Sequence, residues 1–312
     1  MSSSNTSSLF NTDTELFTIG IVYVVLTVIV FPVYGLLIYA LNSESELKEN
    51  ISYKLLNLLN YCDVSQSFCH FLTGIFLIFP IISEKAQFFV RIVGCTANSL
   101  WLATFIIMAV LAITRIGVAF FHIKATKWSG WMIVALGIGF TYILVVWMIG
   151  CVTQNFELTG PSWSYDMTVE YASLLANLEL VLCFPTLALS FFSYILIISS
   201  ICKKRNIAQS SSSSIFRTEV GILVQATILT AYMAILITLW HNADSWFKMR
   251  NFTLASLNCG WILFSHLNLV LLISINKGVR SQILKLLCSK KVPRQTSNLV
   301  PVHVSSTAPV ES

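Results

Sequence analysis

The sequence predicts an all-α membrane protein, a seven-helix transmembrane bundle with its N-terminus outside and its C-terminus inside. Three observations predict this fold. Of the 312 residues, 56% are hydrophobic and 11% are charged, whereas a soluble domain carries about 25% charged residues. Seven apolar runs are each long enough to cross a bilayer, about 30 Å of hydrocarbon. Lys and Arg are distributed unequally among the segments that join these runs.

The composition excludes several classes of protein. So few charged residues cannot cover the surface of a soluble globular enzyme, and disordered, collagen-like and nucleic-acid-binding chains are excluded as well. The eight cysteines show neither a secreted disulfide framework nor zinc-ligand spacing, and packing is their expected role. No organic cofactor is predicted.

The seven apolar runs are the predicted spans. The first, fourth, sixth and seventh are clear, while the second and third contain polar side chains but no obvious break. The predicted spans are Phe17–Leu41, Leu55–Ile82, Phe88–Ile113, Trp128–Cys151, Tyr171–Ile201, Val220–Trp240 and Phe252–Ile275.

The basic residues predict the orientation. With the N-terminus outside, the inner segments hold 15 Lys and Arg residues, and the outer segments hold four, namely Lys85, Arg91, Lys248 and Arg250. Cytoplasmic loops are enriched in Lys and Arg, so this asymmetry places the N-terminus outside.

Three regions follow from this topology. Residues 1–16 form an extracellular N-terminal segment, which carries the glycosylation sequon at Asn5. Residues 17–288 form the transmembrane domain together with a short amphipathic helix on the inner membrane surface. Residues 289–312 form a disordered cytoplasmic tail. Cys288, at the end of the amphipathic helix, is a candidate for palmitoylation, with an ordinary cytosolic thiol as the alternative.

Polar side chains at membrane depth are expensive and therefore candidates for function. Asp63 lies in the second span, and His70 follows seven residues later on the same helix face. His266 and Asn268 lie deep in the seventh span. A catalytic metal site made of Asp63, His70 and His266 is disfavoured because the three lie at different depths. No GxSxG or HExxH motif occurs, so we predict that the protein is not an enzyme.

Asp63 and Asn268 are predicted to meet. Asp63 follows Lys54 by nine residues and Asn268 precedes Lys277 by nine residues, which is about 13 Å of helix in each case. The buried carboxyl group then needs a bound cation, a proton or a neighbouring helix as its partner. The pair is a candidate sodium site, with a protonated aspartic acid as the alternative.

The outer halves of the third, fifth, sixth and seventh spans supply a candidate ligand pocket. Aromatic walls with a few polar groups suit a small, largely apolar molecule, although each aromatic side chain could instead serve packing or the membrane interface. The candidate ligand-binding residues are Asn98, Trp101, Asn177, Glu179, Tyr232, Trp240 and Trp261.

Several short motifs carry a resemblance to a known family. They are Tyr53-Lys54-Leu55-Leu56 before Asp63, His70-Phe71-Leu72-Thr73-Gly74, Gly94 with Trp101, Pro185, and Asn276-Lys277-Gly278-Val279-Arg280. Together with seven spans and Arg115 at the end of the third, they resemble rhodopsin-like G-protein-coupled receptors. More narrowly, they resemble the nematode serpentine chemoreceptors of class T. The resemblance covers roughly residues 17 to 288.

This resemblance implies a plasma-membrane chemoreceptor that binds a small molecule and activates a heterotrimeric G protein. Asp63 matches the carboxylate that binds sodium, and Asn268 matches the Asn of the seventh-span motif. Arg115 matches the Arg that meets the G protein, and the basic cluster Lys203, Lys204 and Arg205 would line the same opening.

The sequence also departs from the superfamily pattern. Thr114 and Ile116 replace the acid and the Tyr that normally flank the Arg, and Glu219 is a candidate substitute for the acid. The second outer loop contains no Cys for the usual disulfide from the third span, and pairing of Cys95 with Cys151 would be a poor substitute.

A transporter or proton-coupled carrier is the alternative function. Asp63, His70, Glu179 and His266 could form a proton path across the membrane. Transporters are commonly built from repeated halves with interrupted helices, and the sequence shows neither feature. A receptor is therefore favoured.

Overall fold

Long helices account for most of the chain in the computed structural model, which describes residues 10–121, 128–207 and 213–288. The helices are α1 Thr14–Val28, α2 Phe31–Ser43, α3 Ser45–Glu49, α4 Ile51–Ile78, α5 Pro80–Lys85, α6 Gln87–Phe121, α7 Gly130–Thr153, α8 Ala172–Ile207, α9 Ser213–Trp246, α10 Asn251–Ile275 and α11 Lys277–Cys288. Two short strands, β1 Phe156–Thr159 and β2 Ser162–Tyr165, lie between α7 and α8.

Each of the seven predicted apolar runs coincides with a long helical segment. In the described part of the chain, six segments are long and apolar enough to cross a membrane: α1 with α2, and helices α6 to α10. The 28-residue helix α4 has the length of a span, but its buried polar side chains lower its hydropathy. These side chains, Asn60 and Asp63 among them, lie at the centre of the bundle.

Proline breaks two of the predicted spans. The run expected over Phe17–Leu41 is divided, because α1 ends at Val28 and α2 begins at Phe31 with a proline in its first turn. The second run was predicted to continue to Ile82, but α4 ends at Ile78 and Pro80 begins α5. Proline lacks the backbone N–H and disfavours helical geometry in the preceding residue, which favours a helix end at these two positions. Pro185, by contrast, lies inside α8.

Helices α4 and α6 form the centre of the bundle. Helix α4 packs against α1, α6 and α10, while α6 contacts α4, α7, α8 and β1. Helix α7 lies at the periphery and exposes apolar side chains such as Ile133, Ile138 and Val145. A surface of this kind suits contact with lipid rather than with water.

Two glycines allow α1 and α4 to pack closely. A Cβ atom at Gly20 would lie 2.9 Å from the Gly74 carbonyl oxygen, and one at Gly74 would lie 2.8 Å from the Gly20 oxygen. Real Cβ atoms do not approach backbone atoms so closely. The pair therefore fixes the separation of the two helices.

Gly74→Ala should destabilise the fold. The added methyl group would overpack the contact between α1 and α4, which costs about 1–3 kcal/mol. Gly35→Ala is the matched control, because nothing lies within 4 Å of its Cβ position. The apparent melting temperature of detergent-purified protein should fall for Gly74→Ala and stay at or above the parent value for Gly35→Ala. Equal melting temperatures for both variants would contradict the close packing.

Strands β1 and β2 form an antiparallel hairpin across the end of the bundle that is predicted to face outside. Phe156 pairs with Tyr165 and Thr159 pairs with Ser162. Gly160 in the turn has a φ of +57°, which glycine adopts without strain. On the bundle side, Trp163 is 1% exposed and donates a hydrogen bond to the Thr73 hydroxyl at 3.0 Å.

An ionic cluster around Arg91 fastens the hairpin to α6. The Arg91 guanidinium lies 3.2 Å from a Glu157 carboxylate oxygen and 3.1 Å from one of Asp166, and it also donates to the Gln154 carbonyl oxygen. The Thr168 hydroxyl and the Arg91 guanidinium, in that order, lower the pKa of the Asp166 carboxyl. Asp166 is therefore a carboxylate at neutral pH.

Arg91→Gln should loosen this hairpin. Losing the cation leaves Glu157 and Asp166 as neighbouring acids without their partner, so amide hydrogen exchange over residues 156–165 should become faster. Lys85→Gln removes a charge from the nearby helix α5 and should leave this exchange unchanged.

Acid should loosen the hairpin in the same way. Because the pKa of Asp166 is lowered, its contribution is present at neutral pH and is lost as the pH falls through that pKa. Unchanged exchange in both the Arg91→Gln variant and acid would contradict this role of the cluster.

The thiol groups of Cys95 and Cys151 contact each other, and both are free. The seven cysteines whose side chains the structure describes are all free thiols. In this structure the hairpin is thus held by Trp163 and the Arg91 cluster.

Candidate functional site

A cavity lies beneath the hairpin, between α6, α8, α9 and α10. The space between its lining atoms is about 330 Å³, part of it open to solvent, and the centre of a water-sized sphere can occupy about 20 Å³ of it. The cavity is therefore narrow in this structure, and side chains must move to admit a molecule larger than water. Its lining combines aromatic, aliphatic and a few polar side chains: Asn98, Trp101, Phe156, Tyr165, Glu179, Leu236, Ile237, Trp240 and Trp261.

Five of the seven predicted ligand-binding residues line this cavity. They are Asn98, Trp101, Glu179, Trp240 and Trp261. The other two, Asn177 and Tyr232, do not line it. Asn177 lies on the exposed face of α8, and the Tyr232 hydroxyl donates to the Gly260 carbonyl oxygen at 2.8 Å while its ring stacks on Phe264.

Sequence reasoning missed Phe156, Tyr165, Leu236 and Ile237 among the lining residues. The first two come from the hairpin. Its signal was present as alternating Phe-x-Leu and Trp-x-Tyr segments on either side of Thr-Gly-Pro-Ser, a pattern typical of paired strands with a turn. Leu236 and Ile237 carry no signal that distinguishes them from the other apolar residues of α9.

Three tryptophans form the apolar part of the site. The Trp261 ring lies 5.9 Å from that of Trp101 and 5.6 Å from that of Trp240, each in an edge-to-face arrangement. The indole N–H of Trp261 donates to Gln66 Oε1 at 2.8 Å, and its ring contacts His70 at 4.8 Å between centroids. Trp261 therefore connects the cavity to polar side chains of α4.

A chain of hydrogen bonds forms the polar part of the site. Asn98 Nδ2 donates to the Tyr165 hydroxyl at 2.7 Å, and this hydroxyl donates to Glu179 Oε2 at 2.7 Å. Burial and the nearby Glu179 raise the pKa of the Tyr165 hydroxyl well above its ordinary value. Tyr165 therefore remains a neutral donor to Glu179. The side chain of His241 is close, with Nε2 at 4.0 Å from Glu179 Oε1.

A second polar cluster lies deeper in the bundle, where α4, α9 and α10 meet. Asn268 Nδ2 lies 2.9 Å from Asp63 Oδ2 and 2.9 Å from Asn60 Oδ1. Gln225 Nε2 donates to Asn268 Oδ1 at 2.9 Å. Asp63 and Asn268 thus contact each other, as their positions in the sequence predicted. Asn60 and Gln225 are partners that the sequence analysis did not identify.

The donor set around Asp63 fits a small hard cation. Asp63 Oδ1 and, one helical turn later, Ser67 Oγ are buried oxygens with no hydrogen-bond partner among the described residues. Carboxylate and hydroxyl oxygens are the kind of ligand that such cations prefer. Asn268, the other residue of the predicted site, turns its N–H group toward Asp63 while its oxygen accepts from Gln225, so it is not placed as a cation ligand in this structure. Sodium binding at Asp63 remains a prediction that the two unpaired oxygens favour.

The two membrane histidines are separate from this cluster. His70 is fully buried, and neither ring nitrogen has a hydrogen-bond partner in the described part of the chain. His266 Nε2 lies 3.1 Å from the Leu26 carbonyl oxygen. Among the described residues, no group of three His, Cys, Asp or Glu side chains is arranged to hold a metal ion.

Arg115 lies at the opposite end of α6 from the cavity. Its side chain is 3% exposed and lies close enough to Tyr194 to interact electrostatically with its hydroxyl. Thr114, which precedes it, bonds back to the Val110 carbonyl oxygen at 2.7 Å. The backbone of 203–205 continues helix α8. The side chains of Lys203, Lys204, Arg205 and Glu219 lie outside the described residues, as does Asn5.

Helix α11 has the amphipathic character that the sequence predicts. Val279 and Ile283 are buried, while Leu284 and Leu287 are exposed. Asn276 caps this helix, because its Oδ1 accepts a bond from the backbone N–H of Val279 at 3.1 Å. Cys288 at the last position is exposed.

Comparisons with known proteins agree with this architecture. The sequence matches the family described as "Serpentine type 7TM GPCR chemoreceptor Srt" over residues 3–296. A search of curated proteins gives no match. The crystal structure of squid rhodopsin superimposes with a TM-score of 0.58 at 16% sequence identity, covering 87% of this chain and 85% of the squid protein.

The structural match confirms the predicted seven-transmembrane fold, and the family is one of receptors rather than enzymes. The sequence match extends over nearly the whole chain. The protein is therefore a member of the Srt family of serpentine seven-transmembrane G-protein-coupled chemoreceptors.

Proposed function

We propose that this receptor detects a small, largely apolar molecule in the cavity beneath the hairpin and activates a heterotrimeric G protein at its inner face, in the plasma membrane. The observation that carries the proposal is the lining of this cavity, whose walls are mainly aromatic and aliphatic with a few convergent polar groups. Such a lining excludes water from an apolar ligand and orients it by a small number of hydrogen bonds.

Helix α10 provides a route from the ligand to the inner face. Trp261 lines the cavity and Asn268 belongs to the deeper polar cluster; they are seven residues apart, or about 10 Å along the helix. A ligand that displaces Trp261 would shift α10, and with it the bonds of Asn268 to α4 and α9. Ligand binding then favours a second arrangement of the helices only if the ligand binds that arrangement more tightly.

The inner face supplies the surface for a G protein. Arg115 is the cation that the resemblance assigns to this contact, and the basic residues at the end of α8 and in α11 are predicted to lie on the same side of the membrane. The exposed Arg280 and Lys285 add positive charge on the same predicted side. Positive charge of this kind also holds the inner face against anionic lipids.

Nucleotide exchange on a G protein tests the proposal. The full-length receptor is reconstituted in lipid vesicles with heterotrimeric G proteins, and GTP binding is measured across a panel of small volatile and pheromone-like compounds. At least one compound should accelerate exchange, and the acceleration should be lost in Trp101→Ala, whose side chain lines the cavity. Solute flux without nucleotide exchange would instead identify a transporter or proton-coupled carrier.

A further inference from the structure

Among the residues that the structure describes, those lining the cavity include one acidic side chain and no Lys or Arg. That acid is Glu179, which is 4% exposed. An ionised carboxylate in an apolar site is costly unless hydrogen bonds and a positive charge compensate it. The groups around Glu179 therefore decide whether its carboxylate can stay ionised.

Hydrogen bonds compensate only one of the two carboxylate oxygens. The amide of Asn98 donates to Tyr165, and Tyr165 donates to Glu179 Oε2, so both bonds point their hydrogens toward the carboxylate. Successive bonds of this kind strengthen one another. Glu179 Oε1 accepts no hydrogen bond from the part of the chain that the structure describes. His241 Nε2, at 4.0 Å, is beyond hydrogen-bonding distance from it.

The aromatic walls favour positive charge as well. Trp101, Trp240 and Trp261 meet edge to face and all line the same cavity as Glu179. The face of an indole ring carries negative potential and attracts ammonium groups, and clusters of aromatic rings bind organic cations in this way. A carboxylate oxygen beside three tryptophans repels an anion.

We propose that the cavity is a site for a small organic ammonium ion, whose N–H group pairs with Glu179 Oε1 while its hydrocarbon part lies among the tryptophans. This inference rests on the proposed function and specifies the chemical class of its ligand. The hydrocarbon part keeps the ligand largely apolar, and the ammonium group provides the orientation. Asn98 and Tyr165 are positioning residues for the carboxylate.

Three probes of the same length and different charge test the inference. n-Hexylammonium, hexanol and hexanoate are titrated at pH 7 against purified receptor in nanodiscs, and binding is read from the shift in melting temperature. A charge-assisted hydrogen bond contributes more than a neutral one, and the difference should make hexylammonium bind at least about tenfold more tightly than hexanol. This comparison in the parent protein needs no substitution.

Two variants test whether Glu179 is the residue that makes hexylammonium bind more tightly than hexanol. Glu179→Gln keeps the shape of the side chain and should bind hexylammonium and hexanol equally, while its affinity for hexanol stays near the parent value. Glu84→Gln removes one exposed acid from α5 and should keep the parent preference. Retained hexanol binding shows that the cavity of the first variant is intact.

Three results would overturn the inference: equal binding of hexanol and hexylammonium by the parent, tighter binding of hexanoate, or no binding of hexylammonium. Equal binding would mean that Glu179 offers no unpaired negative charge to the ligand. The same probes are assayed for nucleotide exchange. Exchange stimulated by hexanol without any ammonium preference leaves the receptor function standing, whereas ammonium binding without exchange by any probe contradicts the receptor function alone.

Discussion

Asp63→Asn is expected to lower ligand-stimulated G-protein activation by at least about tenfold, equivalent to about 1.4 kcal/mol in the balance between receptor states. The carboxylate of Asp63 is fully buried at the junction of α4 and α10. The side-chain amide of Asn268 donates hydrogen bonds to both Asp63 and Asn60. An amide of the same size keeps the packing but removes the charge and the cation ligand. Surface expression and ligand binding should therefore persist while activation falls.

Varying the sodium concentration distinguishes a sodium ion from a proton as the partner of Asp63. If Asp63 holds sodium in the resting receptor, raising sodium should weaken agonist binding in the parent and have no effect in Asp63→Asn. If the parent is insensitive to sodium, a proton is the partner, and the agonist affinity of the parent should change with pH. The control is Asp244→Asn, because Asp244 is an exposed acid near the C-terminal end of α9. Normal activation by Asp63→Asn under all these conditions would make the residue purely structural.

Arg115→Ala is expected to reach the cell surface, to bind ligand and to activate the G protein at least about tenfold less than the parent does, again about 1.4 kcal/mol. The reason is that the variant lacks the cation that the inner end of α6 would present when the bundle opens. Lys48→Ala is the matched control, because Lys48 is an exposed basic residue on the same predicted side.

The alternative role for Arg115, an anchor at the lipid headgroups, is disfavoured by its burial at 3% exposure. If Arg115 is an anchor, Arg115→Ala should lower the amount of receptor at the cell surface and the G-protein activation by the same factor. If Glu219 restrains Arg115 in the resting receptor, Glu219→Gln should raise basal nucleotide exchange. Unchanged basal exchange would remove Glu219 from the mechanism.

Hydropathy predicted the approximate positions of six spans, whereas the second span, α4, was identified by its length because its buried polar side chains lower its hydropathy. A helix that crosses a bilayer needs about 20 apolar residues whatever its neighbours are, so length and composition are local signals. The depth of a residue in the membrane is also a local signal, because it follows from the number of residues between it and the charged end of its helix. The equal nine-residue offsets of Asp63 from Lys54 and of Asn268 from Lys277 therefore predicted a contact that the structure contains. The inside–outside orientation remains a prediction from the basic residues.

The rotation of each helix about its axis could not be predicted in the same way. Asn177 and Glu179 are two residues apart on α8 and so project in nearly opposite directions, yet both were candidates for the pocket. Only Glu179 lines the cavity. Which of them faces inward depends on packing against α6 and α9, and such tertiary contacts leave no period in a span that is apolar on all sides.

The hairpin was missed for a different reason. Its alternating signal covers two strands of only four residues each, and the stability of such short strands depends on contacts made elsewhere in the chain. Trp163 needs Thr73 of α4, and Arg91 of α6 needs both Glu157 and Asp166. The breaks before Pro32 and Pro80, by contrast, were predictable from proline chemistry.

Because the hairpin supplies part of the cavity lining, the Arg91 cluster that holds it should make access to the cavity depend on the surrounding medium. Its carboxylate partners are partly exposed, at 37% for Glu157 and 12% for Asp166, so dissolved ions compete for the same charges. At an ionic strength of 0.15 M such interactions are screened over about 8 Å. Ligand entry and escape should consequently become faster as salt concentration rises, so that the receptor's response time, and not only its sensitivity, would follow the salinity of the fluid that bathes it.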